Sequence, residues 1–94
     1  MAKRKKIYQL PDAPLAPGDK GMHVDRLQEA LDHVLKLRGK NRLRVREPGW
    51  YSIGTSTAVY MFRDTAGIRA DFDFDKQARE KLREALNGTT DKNL

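Results

Sequence analysis

Val24, Leu27, Leu31 and Val34 recur at spacings of three and four, which puts them on one face of a helix. Asp25, Arg26, Glu29 and Asp32 fall mostly elsewhere and predict a solvated side. There Glu29 can pair with Arg26, and Asp32 with Lys36, against a repulsion between Asp25 and Glu29. Gly39 is a natural stop. From Lys40 the period changes to two. Lys40, Arg42, Arg44 and Arg46 alternate with Asn41, Leu43 and Val45, the repeat of a strand with one cationic face. Glu47-Pro48-Gly49 reads as a turn and Trp50 to Ile53 as a short returning strand, so a β-hairpin is expected over about 40–53. A hairpin is marginal alone and has to lean on helices.

A second helix is expected to start near Thr55 or Ser56, either of which can cap it. Val59, Phe62 and Ala66 give it an apolar face, Gly67 ends it, and Ile68 suits the apolar contact of a helix C-cap. The alternation Asp71-Phe72-Asp73-Phe74-Asp75 predicts a short extended connection, with Phe72 and Phe74 packing onto the bundle. Asp75 can cap a third helix whose inward face is Ala78, Leu82, Ala85 and Leu86, and Gly88 is expected to close it. Before the first helix, Pro11, Pro14 and Pro17 favour an extended path, and Gly18 to Gly21 reads as a turn. The expected architecture is mainly α: three helices with a short basic hairpin inserted between the first and second. Residues 1–14 form an extended basic, proline-rich arm, 15–88 the helical domain and 89–94 a polar tail.

A chain of 94 residues has room for one domain and one small core. With no cysteine, disulfides, cysteine zinc sites and thiol nucleophiles are excluded. No run approaches a membrane span, and the cationic start lacks the apolar stretch that would make it a secretion signal. The net charge of +6 is concentrated. Residues 1–6 and 36–46 hold ten of the nineteen Lys and Arg and no acid, which leaves nine cations against thirteen acids on the remaining body. Local charge of this kind attracts phosphates, anionic polymers or an acidic protein surface.

Enzyme chemistry finds no constellation. His23 and His33 lie ten residues apart, about 15 Å along a helix, too far to share a zinc ion. Nothing supplies Ser52 or Ser56 with a base. Asp71, Asp73 and Asp75 imitate the opening of a calcium loop, but its sixth position is Lys76 and its twelfth Leu82, where glycine and glutamate are required. No cofactor is expected. The candidate site is instead a partner-binding surface of Lys3, Arg4, Lys5 and Lys6 in the arm, with Lys40, Arg42, Arg44, Arg46, Trp50 and Tyr51 in the hairpin. A cationic face beside an aromatic can meet phosphate and stack on bases, or bind an anionic glycan or an acidic protein. The opposing reading has Trp50 plugging the core and the arginines in water.

The spacing of these signals resembles the peptidoglycan-binding-like domain, a small three-helix module. Leu15, Gly18, Gly21, Val24, Leu27, Gln28 and Leu31 stand at the spacings of its opening motif. Gly49, Thr55, Ala58, Val59, Phe62, Gly67 and Ile68 match its middle segment, and Asp71, Asp75 and Leu82 its last. Departures cluster in the loops: Pro48, Tyr51, Ser52, Arg63 and Phe72 replace the family's residues, and the basic segment is longer than the usual link. The resemblance implies a retained scaffold with rebuilt ligand loops. It implies a non-catalytic binding module for a wall glycan or a protein assembly. Without an export signal, the module suits a phage virion protein that leaves by cell lysis, in capsid decoration or wall contact. The expected location is then the virion, or the host cytoplasm before release. The alternative is a small basic nucleic-acid-binding protein using the arm and residues 38–46. Gln28, at the helix edge, is placed to bond a loop backbone group.

Overall fold

The alternation of period along the chain resolves into helices joined by tight turns. The structure, a computed structural model, describes residues 9–37 and 47–91. The helices are α1 (Met22–Leu37), α2 (Ile53–Thr65) and α3 (Lys76–Asp91). α1 packs against both of the others. Its apolar stripe, Val24, Leu27, Ala30, Leu31, Val34 and Leu35, is buried, and so are Ala58, Val59 and Phe62 of α2 and Ala78, Leu82 and Leu86 of α3. Each fully buried aliphatic or phenyl group contributes about 1.5–3 kcal/mol of transfer free energy, so this trio of stripes is the main source of stability.

The ends of the helices follow local chemistry. Asp75 caps α3, its Oδ1 accepting from the Ala78 N–H at 2.9 Å. At the end of α2, Gly67 takes a φ of +82°; the Gly67 N–H donates to the Asp64 carbonyl and the Ile68 N–H to that of Arg63. This is the left-handed glycine cap, and Ile68 packs against the core as that motif requires. The start of α2 differs from expectation. Ser52, extended at φ −91° and ψ −169°, occupies the cap position without a side-chain cap bond. Thr55 and Ser56 lie inside the first turn, and their hydroxyls reach back to the carbonyls of Trp50 and Ser52. α3 also runs through Gly88 to Asp91, beyond its expected end and into the expected polar tail. A glycine within a helix costs only about 1 kcal/mol and stops it only where the following geometry turns left-handed.

No strand occurs among the described residues. Two isolated antiparallel bridges tie loops together instead, Leu15 with Phe74 and Lys20 with Trp50. The hairpin expected over 40–53 is therefore corrected in its second half. Trp50 pairs with Lys20 ahead of α1, and Ile53 already belongs to α2, while residues 40–46 lie outside the described residues. The expected arm is corrected too. Leu10 and Ala13 pack against the core, Pro11 is buried, and the Pro11 carbonyl accepts from Arg79 Nε at 2.8 Å, so 9–14 belong to the domain. Phe74 enters the core as expected, whereas Phe72 faces solvent, its ring 5.1 Å from that of Tyr60.

Candidate functional site

Two proline-glycine turns build the site. In Ala16-Pro17-Gly18-Asp19 the Asp19 N–H closes on the Ala16 carbonyl at 3.0 Å. In Glu47-Pro48-Gly49-Trp50 the Trp50 N–H closes on the Glu47 carbonyl at 3.1 Å. Gly18 has φ +100° and Gly49 φ +79°, the positive value that the third position of a type II turn demands. The turns lie side by side: the Gly21 N–H donates to Gly49, the Gly18 N–H to Tyr51 and the Tyr51 N–H to Asp19, all through backbone carbonyls.

Gln28 fastens this pair of turns to α1. Its carboxamide is buried, with Nε2 3.0 Å from the carbonyls of Glu47 and Trp50 and 2.9 Å from Thr55 Oγ1. Its Oε1 accepts from the Gly49 N–H at 2.7 Å. An amide nitrogen has two hydrogens, so its three acceptors share them. The Thr55 hydroxyl relays the arrangement by lying 3.4 Å from the Trp50 carbonyl. One side chain thus sets the path from Glu47 to the first turn of α2. The anticipated role of Gln28 as a bond to loop backbone is what the geometry shows.

Along this fixed path Trp50 and Tyr51 face opposite ways. Trp50 stays 40% exposed, with Lys20 Nζ 5.3 Å from the ring centroid, within range of a cation–π contact. Tyr51 is 1% exposed and its hydroxyl donates to the Phe72 carbonyl. Burial pushes the Tyr51 pKa up, with Asp73, Asp19 and Asp71 adding to the rise and Arg63 opposing it. Tyr51 is therefore corrected from a partner-binding residue to a core residue, because no face of its ring is open. The aromatic plug that Trp50 offered in the sequence is supplied by its neighbour. Lys3, Arg4, Lys5, Lys6, Lys40, Arg42, Arg44 and Arg46 lie outside the described residues. The described chain re-enters at Glu47, three residues before Trp50.

A second anchor was not foreseen. Arg63 is 3% exposed, although it follows Phe62 on the inner side of α2. Its Nε donates to the Arg69 carbonyl at 2.7 Å, and its Nη1 to the Asp73 carbonyl at 3.3 Å and Asp75 Oδ1 at 2.8 Å. The α2–α3 connection is thus wrapped around one guanidinium. Burial alone raises the Asp75 pKa, but the Ala78 N–H and Arg63 outweigh it and hold the carboxyl below its ordinary value. Lys20 was also missed. Its only signal in the sequence is its place in the first glycine turn, and its relation to Trp50 exists only once the turns dock.

Among the described residues no group of three His, Asp or Glu side chains could hold a metal ion. His23 Nε2 lies 3.3 Å from Asp12 Oδ2 at the surface, a contact between the segment before Leu15 and α1. Two of the three carboxylates of the calcium-like run are occupied locally, Asp71 with the Phe72 N–H at 2.6 Å and Asp75 with α3 and Arg63. No described helix is long and apolar enough to cross a membrane. What the described arrangement offers chemically is a fixed loop with one presented indole and an adjacent ammonium. A comparison with family models, curated proteins and solved structures finds no match to this chain.

Proposed function

We propose that the chain is a non-catalytic binding and assembly module on a peptidoglycan-binding-like scaffold, and that it attaches to neighbouring subunits of a phage virion. In this reading Lys40, Arg42, Arg44 and Arg46 make the contacts with an acidic surface. The observation that carries it is Trp50, an exposed indole on a loop clamped by Gln28, four residues along the chain from Arg46. A surface aromatic held in one conformation loses little entropy on binding and supplies contact area that a cationic segment lacks. The matched positions of the family resemblance carry scaffold roles: Gln28, Gly49 and Thr55 in the clamp, Asp75 as a cap.

A second reading rests on the same indole. Trp50 with Lys20 above it suits base stacking beside phosphate-binding arginines, the equipment of a single-stranded nucleic-acid binder. Co-sedimentation of the purified chain with phage capsids, with peptidoglycan and with DNA over a range of salt separates the readings. Capsid binding that survives high salt supports the assembly module. Retention on peptidoglycan under the same conditions moves the partner to the wall glycan. Binding to DNA alone, with a log–log salt slope near −0.9 per neutralised phosphate on duplex, favours the second reading. No binding to any of them at low salt contradicts both.

A further inference from the structure

α2 is apolar on two sides. Its inner side, with Ala58, Val59 and Phe62, is spent on the core. Its outer side carries Ile53, Thr57, Tyr60 and Asp64 at spacings of four, three and four, one stripe along the helix, and all four are exposed. Ile53 is 84% exposed and Tyr60 42%. Phe72, 49% exposed, leans its ring on Tyr60 and widens the stripe. Neither aromatic serves the core or the Gln28 clamp. The chain holds Phe72 outward by fixed bonds: its carbonyl accepts from Tyr51, and its N–H donates to Asp71. Carboxylates border the aromatic pair, Asp64 one turn along α2 and Asp71 and Asp73 on either side of Phe72, with Arg69 the nearby cation.

The chain itself contains the complement of this face. Residues 3–6 are Lys-Arg-Lys-Lys and are followed by Ile7 and Tyr8, so four cations precede two apolar side chains. The body that bears the face is acidic, nine cations against thirteen acids, once residues 1–6 and 36–46 are set aside. Leu15 pairs antiparallel with Phe74, and the Pro11 carbonyl sits on Arg79. Traced back from Leu15 to Pro11, the described chain therefore runs along α3 away from Phe72. We propose that the Tyr60–Phe72 face docks residues 1–8 of a second copy of this chain. The carboxylates take the cations, and the aromatic pair takes Ile7 and Tyr8. Such a contact joins unlike surfaces, so it leaves one face and one tail open and builds chains or rings. The proposal does not depend on the partner assigned above, because it concerns the purified chain alone.

The test is sedimentation equilibrium on the full chain and on two variants, Tyr60→Ser with Phe72→Ser for the face and Lys3→Glu with Lys5→Glu for the tail. The mass of the unmodified chain rises with concentration past that of a dimer, and association weakens by about tenfold or more between about 0.05 and 0.5 M salt. Each variant alone is monomeric. Mixed in equal amounts they form a one-to-one dimer, since the intact tail of one meets the intact face of the other. Should the serine variant lose its helical circular dichroism, Asp64→Lys, at an exposed position, probes the same face. A monomeric unmodified chain at millimolar concentration and low salt overturns the proposal. So does a tail variant that still dimerises, which would mean the face pairs with itself, and so does a mixture that stays monomeric. Any of these failures leaves capsid, glycan or DNA binding by the chain open to its own measurement.

Discussion

Replacing Gln28 probes the clamp on which the presented loop depends. In Gln28→Ala, the N–H of Gly49 loses its acceptor, while the carbonyls of Glu47 and Trp50 each lose one donor and keep the N–H of Trp50 and of Ser52 respectively. With two hydrogens and one acceptor oxygen, the carboxamide makes about three full hydrogen bonds, each worth about 1 kcal/mol net. Glu47 and Trp50 are exposed, so water recovers part of the loss, and the expected cost is about 2–3 kcal/mol. A domain of this size has about 5–14 kcal/mol in total. At about 4–8 °C per kcal/mol, the midpoint of thermal unfolding falls by about 10–20 °C. Gln28→Glu keeps the shape and sharpens the test. At pH 7 the carboxylate faces two carbonyl oxygens with no hydrogen to offer, so it costs at least as much as alanine. Its folded-state pKa is raised, because protonation restores a donor; the deficit therefore shrinks as pH falls through that value and grows as pH rises. Circular dichroism reads the helices, and the emission of the single tryptophan reads the loop. An alanine variant melting within about 4 °C of the unmodified protein, less than 1 kcal/mol, refutes the clamp. A glutamate variant as stable as glutamine at pH 7 refutes it equally.

Three further outcomes follow from the same contacts. The Asp75 carboxyl is held below its ordinary pKa, so its contribution is present above the unfolded value near 4 and is lost as pH falls through the folded one; Asp75→Asn flattens the acid limb of a stability–pH profile, and an unchanged limb contradicts the Arg63 pairing. The Tyr51 pKa is raised, so its stabilisation is complete below about pH 10 and lost at higher pH. Tyr51→Phe removes that alkaline loss and, by leaving the Phe72 carbonyl unpaired, lowers stability by about 1–2 kcal/mol at pH 7, measured by urea unfolding at both pH values. Ser52 Oγ is buried without a partner, so Ser52→Ala leaves the unfolding midpoint unchanged or raises it, whereas a loss of about 1 kcal/mol or more would show a working helix cap.

The helices were legible because their periodicity is set by burial. Val24, Leu27, Leu31 and Val34 have one period and one environment, and Asp75 has the chemistry of a cap and a helix to serve. The Glu47-Pro48-Gly49 turn was legible for the same local reason, since proline fixes one φ and glycine admits the other. Long-range pairing was not. The backbone groups of 49–51 look available to residues 40–46, yet those of Gly18, Asp19 and Gly21 take them, and nothing local distinguishes the two partners. The in-or-out choice between Trp50 and Tyr51 hangs on the Phe72 carbonyl, which the phenol can reach only after the α2–α3 connection folds over it. Arg63 reads as a surface cation until the Arg69 and Asp73 carbonyls converge on it. The cationic candidates of the site were read from charge alone, and charge gives a class of partner without a position in space.

In the proposed function a helical scaffold holds a loop, and cationic residues attach it to an anionic partner. Arg42→Glu with Arg44→Glu separates the two directly. The variant is assayed beside the unmodified chain for co-sedimentation with capsids, peptidoglycan and DNA, and for far-ultraviolet circular dichroism. An unchanged helical spectrum with binding lost is the expected result. Binding that persists undiminished with both charges reversed contradicts it.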